Sequence, residues 1–124
     1  MSPRLIAAVD DEPLILDMYT EVLQDEGYRV ATCHANADAL ACIQRELPDL
    51  VILDPWPWAR VGGRTIYQAL AEEPTTATIP LILCTSMDPT TIQSPAEPHI
   101  PPVAILQKPF LIDDLLSAIE TAFA

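Results

Sequence analysis

The chain has 124 residues, half of them apolar, with 18 acidic side chains against 6 basic ones and a formal charge of -12. That length holds one domain with a real core; the composition excludes a disordered chain, and the acidic surface repels nucleic acid and anionic membrane. No apolar run nears the roughly 18–20 residues of a membrane span. Met1–Val9 turns acidic at Asp10 too soon for a signal peptide, so a cytoplasmic location is the expectation.

Short apolar runs alternate with helical patterns along the chain. Arg4–Val9 reads as a strand, and Leu14, Ile15, Met18, Val22 and Leu23 then recur at helical spacing up to Gly27, a natural stop. Tyr28–His34 reads as a second strand. Asn36 is a good N-cap for a helix carrying Leu40, Ile43 and Leu47, which Pro48 closes. Leu50–Leu53 is a third, buried strand ending on Asp54. Arg64–Glu73 follows as a helix with Ile66 and Leu70 on one face, and Leu81–Cys84 and Val103–Leu106 are further strands. Leu111, Leu115, Ile119 and Phe123 form one stripe of a closing helix, with Asp113 and Asp114 in its first turn, where carboxylates suit the helix dipole. Between Met87 and Leu106 stand Pro89, Pro95, Pro98, Pro101 and Pro102, so the helix due there is short or irregular.

Strand and helix alternating five times predict parallel strands with crossover helices, and continuous apolar strands fit a sheet covered on both faces. The expected fold is an α/β doubly wound sheet in one domain spanning residues 1–124. Cys33, Cys42 and Cys84 form no Cys-x-x-Cys, and His34 and His99 are too scattered to build a zinc site with them. Three reduced, mostly buried thiols are the expectation.

Ligand chemistry in such a fold belongs at the carboxyl ends of the strands. There the sequence places Asp10-Asp11-Glu12 after the first strand, Asp54 after the third, Thr85-Ser86 after the fourth and Lys108-Pro109 after the fifth. Three carboxylates brought together repel one another unless some are protonated or a cation joins them. Hard oxygen ligands suit Mg2+, a bound Mg2+ admits a phosphoryl group to an acidic pocket, and a carboxylate there can act as nucleophile. A hydroxyl and an ammonium can contact phosphoryl oxygens. Lys108 is the only lysine of the chain. Glu12 reads as a capping residue, and His34 as a strand-end residue.

Val9-Asp10-Asp11-Glu12-Pro13, Leu53-Asp54, Leu83-Cys84-Thr85-Ser86 and Lys108-Pro109-Phe110 together resemble the receiver domain of two-component response regulators, in order and over essentially the whole chain. The resemblance implies a CheY-like, flavodoxin-like fold: a five-stranded parallel sheet in the order 2-1-3-4-5. It implies Asp54 as phosphoacceptor. Asp11, Asp54 and the Trp56 backbone carbonyl would hold Mg2+, with Asp10 acting mainly through a water. Thr85 and Lys108 would contact the phosphoryl group. The partner it implies is a sensor histidine kinase or phosphotransfer protein; the downstream partner is unknown. The domain would be no enzyme beyond its own phosphorylation and dephosphorylation, and would use neither nucleic acid nor membrane directly.

Three departures from the family pattern stand out. Pro55-Trp56-Pro57-Trp58 follows Asp54, so a proline falls one position early, while Gly62 keeps the expected place. Trp56 is expected near the pocket mouth, hindering attacking water. Ile105 stands where similar domains carry Tyr or Phe, and the fourth helix region is proline-rich. The usual pairing face is then incomplete, and a monomer or weak homodimer is expected. Two other readings stay open: a phosphorylation-independent pseudo-receiver interaction module, and a small Mg2+-dependent phosphohydrolase with an Asp nucleophile. Against the last, Asp54-Pro55-Trp56 lacks a second carboxylate two residues on. The chain reads as a receiver without an effector domain, either a stand-alone regulator or a piece of a longer protein.

Overall fold

A computed structural model describes residues 3–34, 38–54, 60–61, 64–85 and 102–124. In chain order the elements are β1 (Leu5–Asp10), α1 (Pro13–Asp25), β2 (Arg29–His34), α2 (Ala39–Glu46), β3 (Leu50–Leu53), β4 (Arg60–Val61), β5 (Arg64–Thr65), α3 (Ile66–Glu72), β6 (Leu81–Thr85), β7 (Ala104–Gln107) and α4 (Ile112–Phe123). Five strands form one parallel sheet in the order β2-β1-β3-β6-β7. Counting only these strands, that is the expected 2-1-3-4-5. The expected fourth helix, the Asn36 cap and residues 55–59 lie outside the described residues.

The reason for this layering is visible along β1, β3 and β6, which are apolar and buried throughout apart from the polar ends Asp10 and Thr85, buried as well. Side chains alternate across the pleat, so each strand feeds two cores. Ala7, Val9, Val51, Leu53, Leu81 and Leu83 face α2 and α3, meeting Leu40, Ile43, Ile66 and Leu70. Ile6, Ala8, Leu50, Ile52, Ile82 and Cys84 face α1 and α4, meeting Leu16, Tyr19, Leu23, Leu115 and Ile119. The edge strands β2 and β7, each paired on one side only, are more exposed.

Several local expectations need correction. In α1 the buried face is Leu16, Tyr19 and Leu23, whereas Leu14 is 80% exposed. The helix starts at Pro13, so Leu14 falls on the first turn, away from the sheet. Leu47 is not part of the α2 stripe: it is the C-cap, in left-handed geometry with φ 45°, and exposed. Pro48 disfavours helical backbone at the residue before it. Arg64 and Thr65 are not helical; they pair antiparallel with Arg60 and Val61. In α4, Leu115 and Ile119 are buried as expected, but Leu111 is an exposed N-cap. Gly27 does end α1, at φ 89°, a conformation that favours glycine.

The thiols differ most from expectation. Cys33 and Cys42 are disulfide-bonded, with Cα atoms 6.1 Å apart. Only Cys84 is free, and it is buried. Sequence spacing concealed the pair because a strand end and a helix meet there through the fold. No helix among the described residues is long and apolar enough to cross a membrane.

Candidate functional site

Four strands deliver the site. Asp10 is the last residue of β1 and only 1% exposed. Asp54 directly follows β3, and its backbone N–H donates to the Val9 carbonyl at 3.1 Å. That bond continues the β1–β3 ladder, in which Val9 faces Leu53, and carries the Asp54 carboxylate to the same edge as Asp10. Asp11 follows β1 on the exposed side. Asp10, Asp11 and Asp54 each present a carboxylate oxygen within 4.8 Å of the others.

Lys108 arrives from the far side of the sheet. Its backbone N–H donates to the Thr85 carbonyl at 2.6 Å, extending the β6–β7 ladder by one step. From there Nζ reaches Asp10 Oδ2 at 2.7 Å and Asp54 Oδ2 at 3.2 Å. The other oxygen of Asp10, Oδ1, accepts the Glu12 backbone N–H at 3.1 Å. Burial works to lower the Lys108 pKa, but the hydrogen bond and charge of Asp10, then the charge of Asp54, outweigh it and raise the pKa. Asp11 is raised too: by burial first, then by its hydrogen bond with Asp10 and the charge of Asp10. One ammonium thus binds two of three clustered carboxylates, and the surplus negative charge with an all-oxygen donor set fits a hard divalent cation such as Mg2+.

Thr85, the last residue of β6, is buried at 1% exposure. Asp10, Asp11, Asp54, Thr85 and Lys108 therefore come together at one sheet edge as the sequence suggests, while Trp56, Trp58 and Ser86 lie outside the described residues. Glu12 holds the N-cap position of α1, but its side chain makes no capping bond; its carbonyl accepts the Ile15 and Leu16 N–H groups instead. His34 is an exposed strand end in register with Asp10. Ile105 is half-buried and in register with Leu83.

Sequence reasoning missed the support beneath the cluster. Tyr19 is fully buried and stacks on Phe110, with ring centroids 6.5 Å apart. Its hydroxyl has no hydrogen-bond partner among the described residues. Burial, followed by the neighbouring Cys84 thiol, pushes its pKa up. Burial likewise pushes the Cys84 thiol up to about 11, although Tyr19 and Lys108 act to lower it. Phe110 follows the cis Lys108–Pro109 peptide, so the stack packs α1 against the segment that carries Lys108. A tyrosine within the α1 periodicity was the available signal.

A family model described as the response regulator receiver domain matches residues 6–120. The chain is 35% identical over 88 residues to the response regulator PleD of Caulobacter vibrioides, covering 71% of this chain and 19% of that protein. It is 31% identical over 121 residues to the transcriptional regulatory protein PdtaR of Mycobacterium tuberculosis, covering 97% and 57%. Among solved structures, the chemotaxis response regulator CheY4 of Vibrio cholerae is similar at TM-score 0.77 and 26% identity, over 97% of this chain and 98% of that one. The chain spans well under two thirds of the length of these two curated relatives.

Proposed function

The chain belongs to the response regulator receiver domain family of two-component signalling, and we propose that it works there as a phosphoacceptor switch with Asp54 as the acceptor. The observation that carries this reading is the bridging of Asp10 and Asp54 by the only lysine of the chain, beside a third carboxylate. Asp54 stands at the edge of the cluster, 14% exposed, where one oxygen is held by Lys108 and the carboxylate can meet a donor. The donor is the phosphohistidine of a sensor kinase or phosphotransfer protein. An Asp54 oxygen bonds to phosphorus, the P–N bond breaks, and the leaving imidazole takes a proton.

Lys108 Nζ neutralises a phosphoryl oxygen with the ammonium it now turns to Asp54, and the Thr85 hydroxyl donates to another. Asp11, Asp54 and the Trp56 carbonyl would hold Mg2+, with Asp10 acting through a water; the ion supplies charge that offsets the approach of an anionic donor to an acidic edge. The acyl phosphate is later lost to water, so the chain turns over only its own modification. Trp56 would slow that loss by screening Asp54. The switched product is a changed partner surface, in a cytoplasmic protein that is monomeric or weakly dimeric.

The test is Mg2+-dependent labelling by a small phosphodonor, read by intact mass. Wild type gains one phosphate; Asp54→Asn gains none. A wild type that never gains it returns the chain to the pseudo-receiver reading, which Ile105 favours: an aliphatic side chain faces Leu83 where similar domains carry an aromatic ring.

A further inference from the structure

The disulfide joins two sulfurs in unequal settings. Cys33, near the end of β2, is 2% exposed within the core that α2 and α3 cover, whereas Cys42 sits half-buried on α2 at the margin of that core. Arg45, one helical turn on, donates from Nη2 to Cys42 Sγ at 3.6 Å. We infer that Cys33 and Cys42 are a reversible, peroxide-reactive dithiol, with Cys42 the attacking sulfur and Cys33 the resolving one.

The chemistry follows from access and charge. A guanidinium beside sulfur favours the thiolate, which is the nucleophile. The Cys42 thiolate attacks hydrogen peroxide: an S–O bond forms, the O–O bond breaks, and the departing hydroxide takes a proton to become water. Cys33 then gives up its proton and attacks the Cys42 sulfenic sulfur. The S–S bond forms, the S–O bond breaks, and the second oxygen leaves as water. The two sulfurs lose two electrons and the peroxide gains them. The fold supplies the proximity, since Cα atoms 6.1 Å apart are already within bridging range.

A structural staple is the weaker account. The bond closes only a short loop, with a separation of 9 residues, and the apolar side chains around it already form a core. Disulfides in a reducing cytoplasm are usually transient. Cys33 pairs in register with Val9 and His34 with Asp10, so closing the bond fastens α2 to the strand beside the acidic cluster. Cys84, buried and raised to about 11, serves as an internal bystander.

Intact mass with circular dichroism tests this on the whole chain. Dithiothreitol should add two hydrogens to wild type without loss of secondary structure, and hydrogen peroxide should then remove them. In the reduced protein a thiol-alkylating reagent should modify Cys42 roughly a hundredfold faster than Cys84. Cys33→Ser should stop at a single added oxygen on Cys42 that dimedone traps, and Cys42→Ser should take up none. Asp54→Asn should behave as wild type, which separates this inference from the phosphoacceptor reading. A bond that dithiothreitol opens only when the chain unfolds would overturn it. So would a folded dithiol that peroxide does not close, or first oxidation at Cys33 or Cys84.

Discussion

Lys108 Nζ lies 2.7 Å from Asp10 Oδ2, across 98 positions of sequence, and that pair joins the two halves of the sheet edge. Asp10 is buried and Lys108 largely so, so removing the ammonium strands a carboxylate. Lys108→Ala is expected to destabilise the metal-free protein by about 3 kcal/mol, the low end for losing one partner of a buried pair. Urea denaturation in a chelator reads this, and a loss below about 0.5 kcal/mol would deny the pair its structural role.

The same pair sets an alkaline limit. The Lys108 pKa is raised above its ordinary 10.5, so its stabilisation is fully present below that value and is lost as pH rises through the folded pKa. Wild type should lose stability in that window. Lys108→Met should lack this part of the slope, as paired denaturation curves at pH 9 and above will reveal.

At Asp11 the fold favours the neutral form rather than the charged one. Its pKa is raised from 3.8, by burial and then by Asp10, so the folded state holds its proton more tightly and stability falls as pH climbs through that window. At neutral pH the charged form is a net cost. Asp11→Asn should therefore raise the thermal midpoint in chelator. Magnesium at a hundredfold excess over its Kd should stabilise wild type by about 2.7 kcal/mol and the variant by far less. Equal magnesium shifts in both proteins would remove Asp11 from the cation site.

Tyr19 offers a test of the layer below. A buried hydroxyl without a hydrogen-bond partner costs folding free energy, and among the described residues the Tyr19 hydroxyl has none. Tyr19→Phe keeps the ring stack on Phe110 and should stabilise the protein by about 1 kcal/mol, seen as a higher urea midpoint. A destabilised variant would reveal a bond from the hydroxyl to its thiol neighbour, Cys84.

The phase of α1 is tested by two truncations. Leu16 is 5% exposed and Leu14 80%. Leu16→Ala should cost about 2–5 kcal/mol, while Leu14→Ala should stay within about 0.5 kcal/mol. Similar losses at both positions would mean that the helix is turned differently on the sheet.

These two leucines also mark what a sequence can disclose. The apolar runs 5–9, 50–53 and 81–84 were legible because central strands of a parallel sheet are buried on both faces. Their ends located Asp10, Asp54 and Thr85, and the topology then placed Lys108 beside them. Helix phase was less legible, because Leu14, Ile15, Leu16 and Met18 are all apolar and only packing selects the inner face. Leu47 fits the α2 stripe by spacing, yet its backbone turns left-handed at the helix end and its side chain is exposed, which spacing does not encode. The antiparallel pairing of Arg60–Val61 with Arg64–Thr65 went unread because the helical pattern that follows was carried back to Arg64. The Cys33–Cys42 bond depends on how α2 lies against β2, which no spacing encodes.

A single lysine gives side-chain acylation just one address in this molecule. An acetyl group, or an ester-activated dye, placed on Lys108 Nζ would erase the ammonium that Asp10 and Asp54 share. An amine-directed tag that reached Lys108 would therefore disable the molecule it was meant to report on.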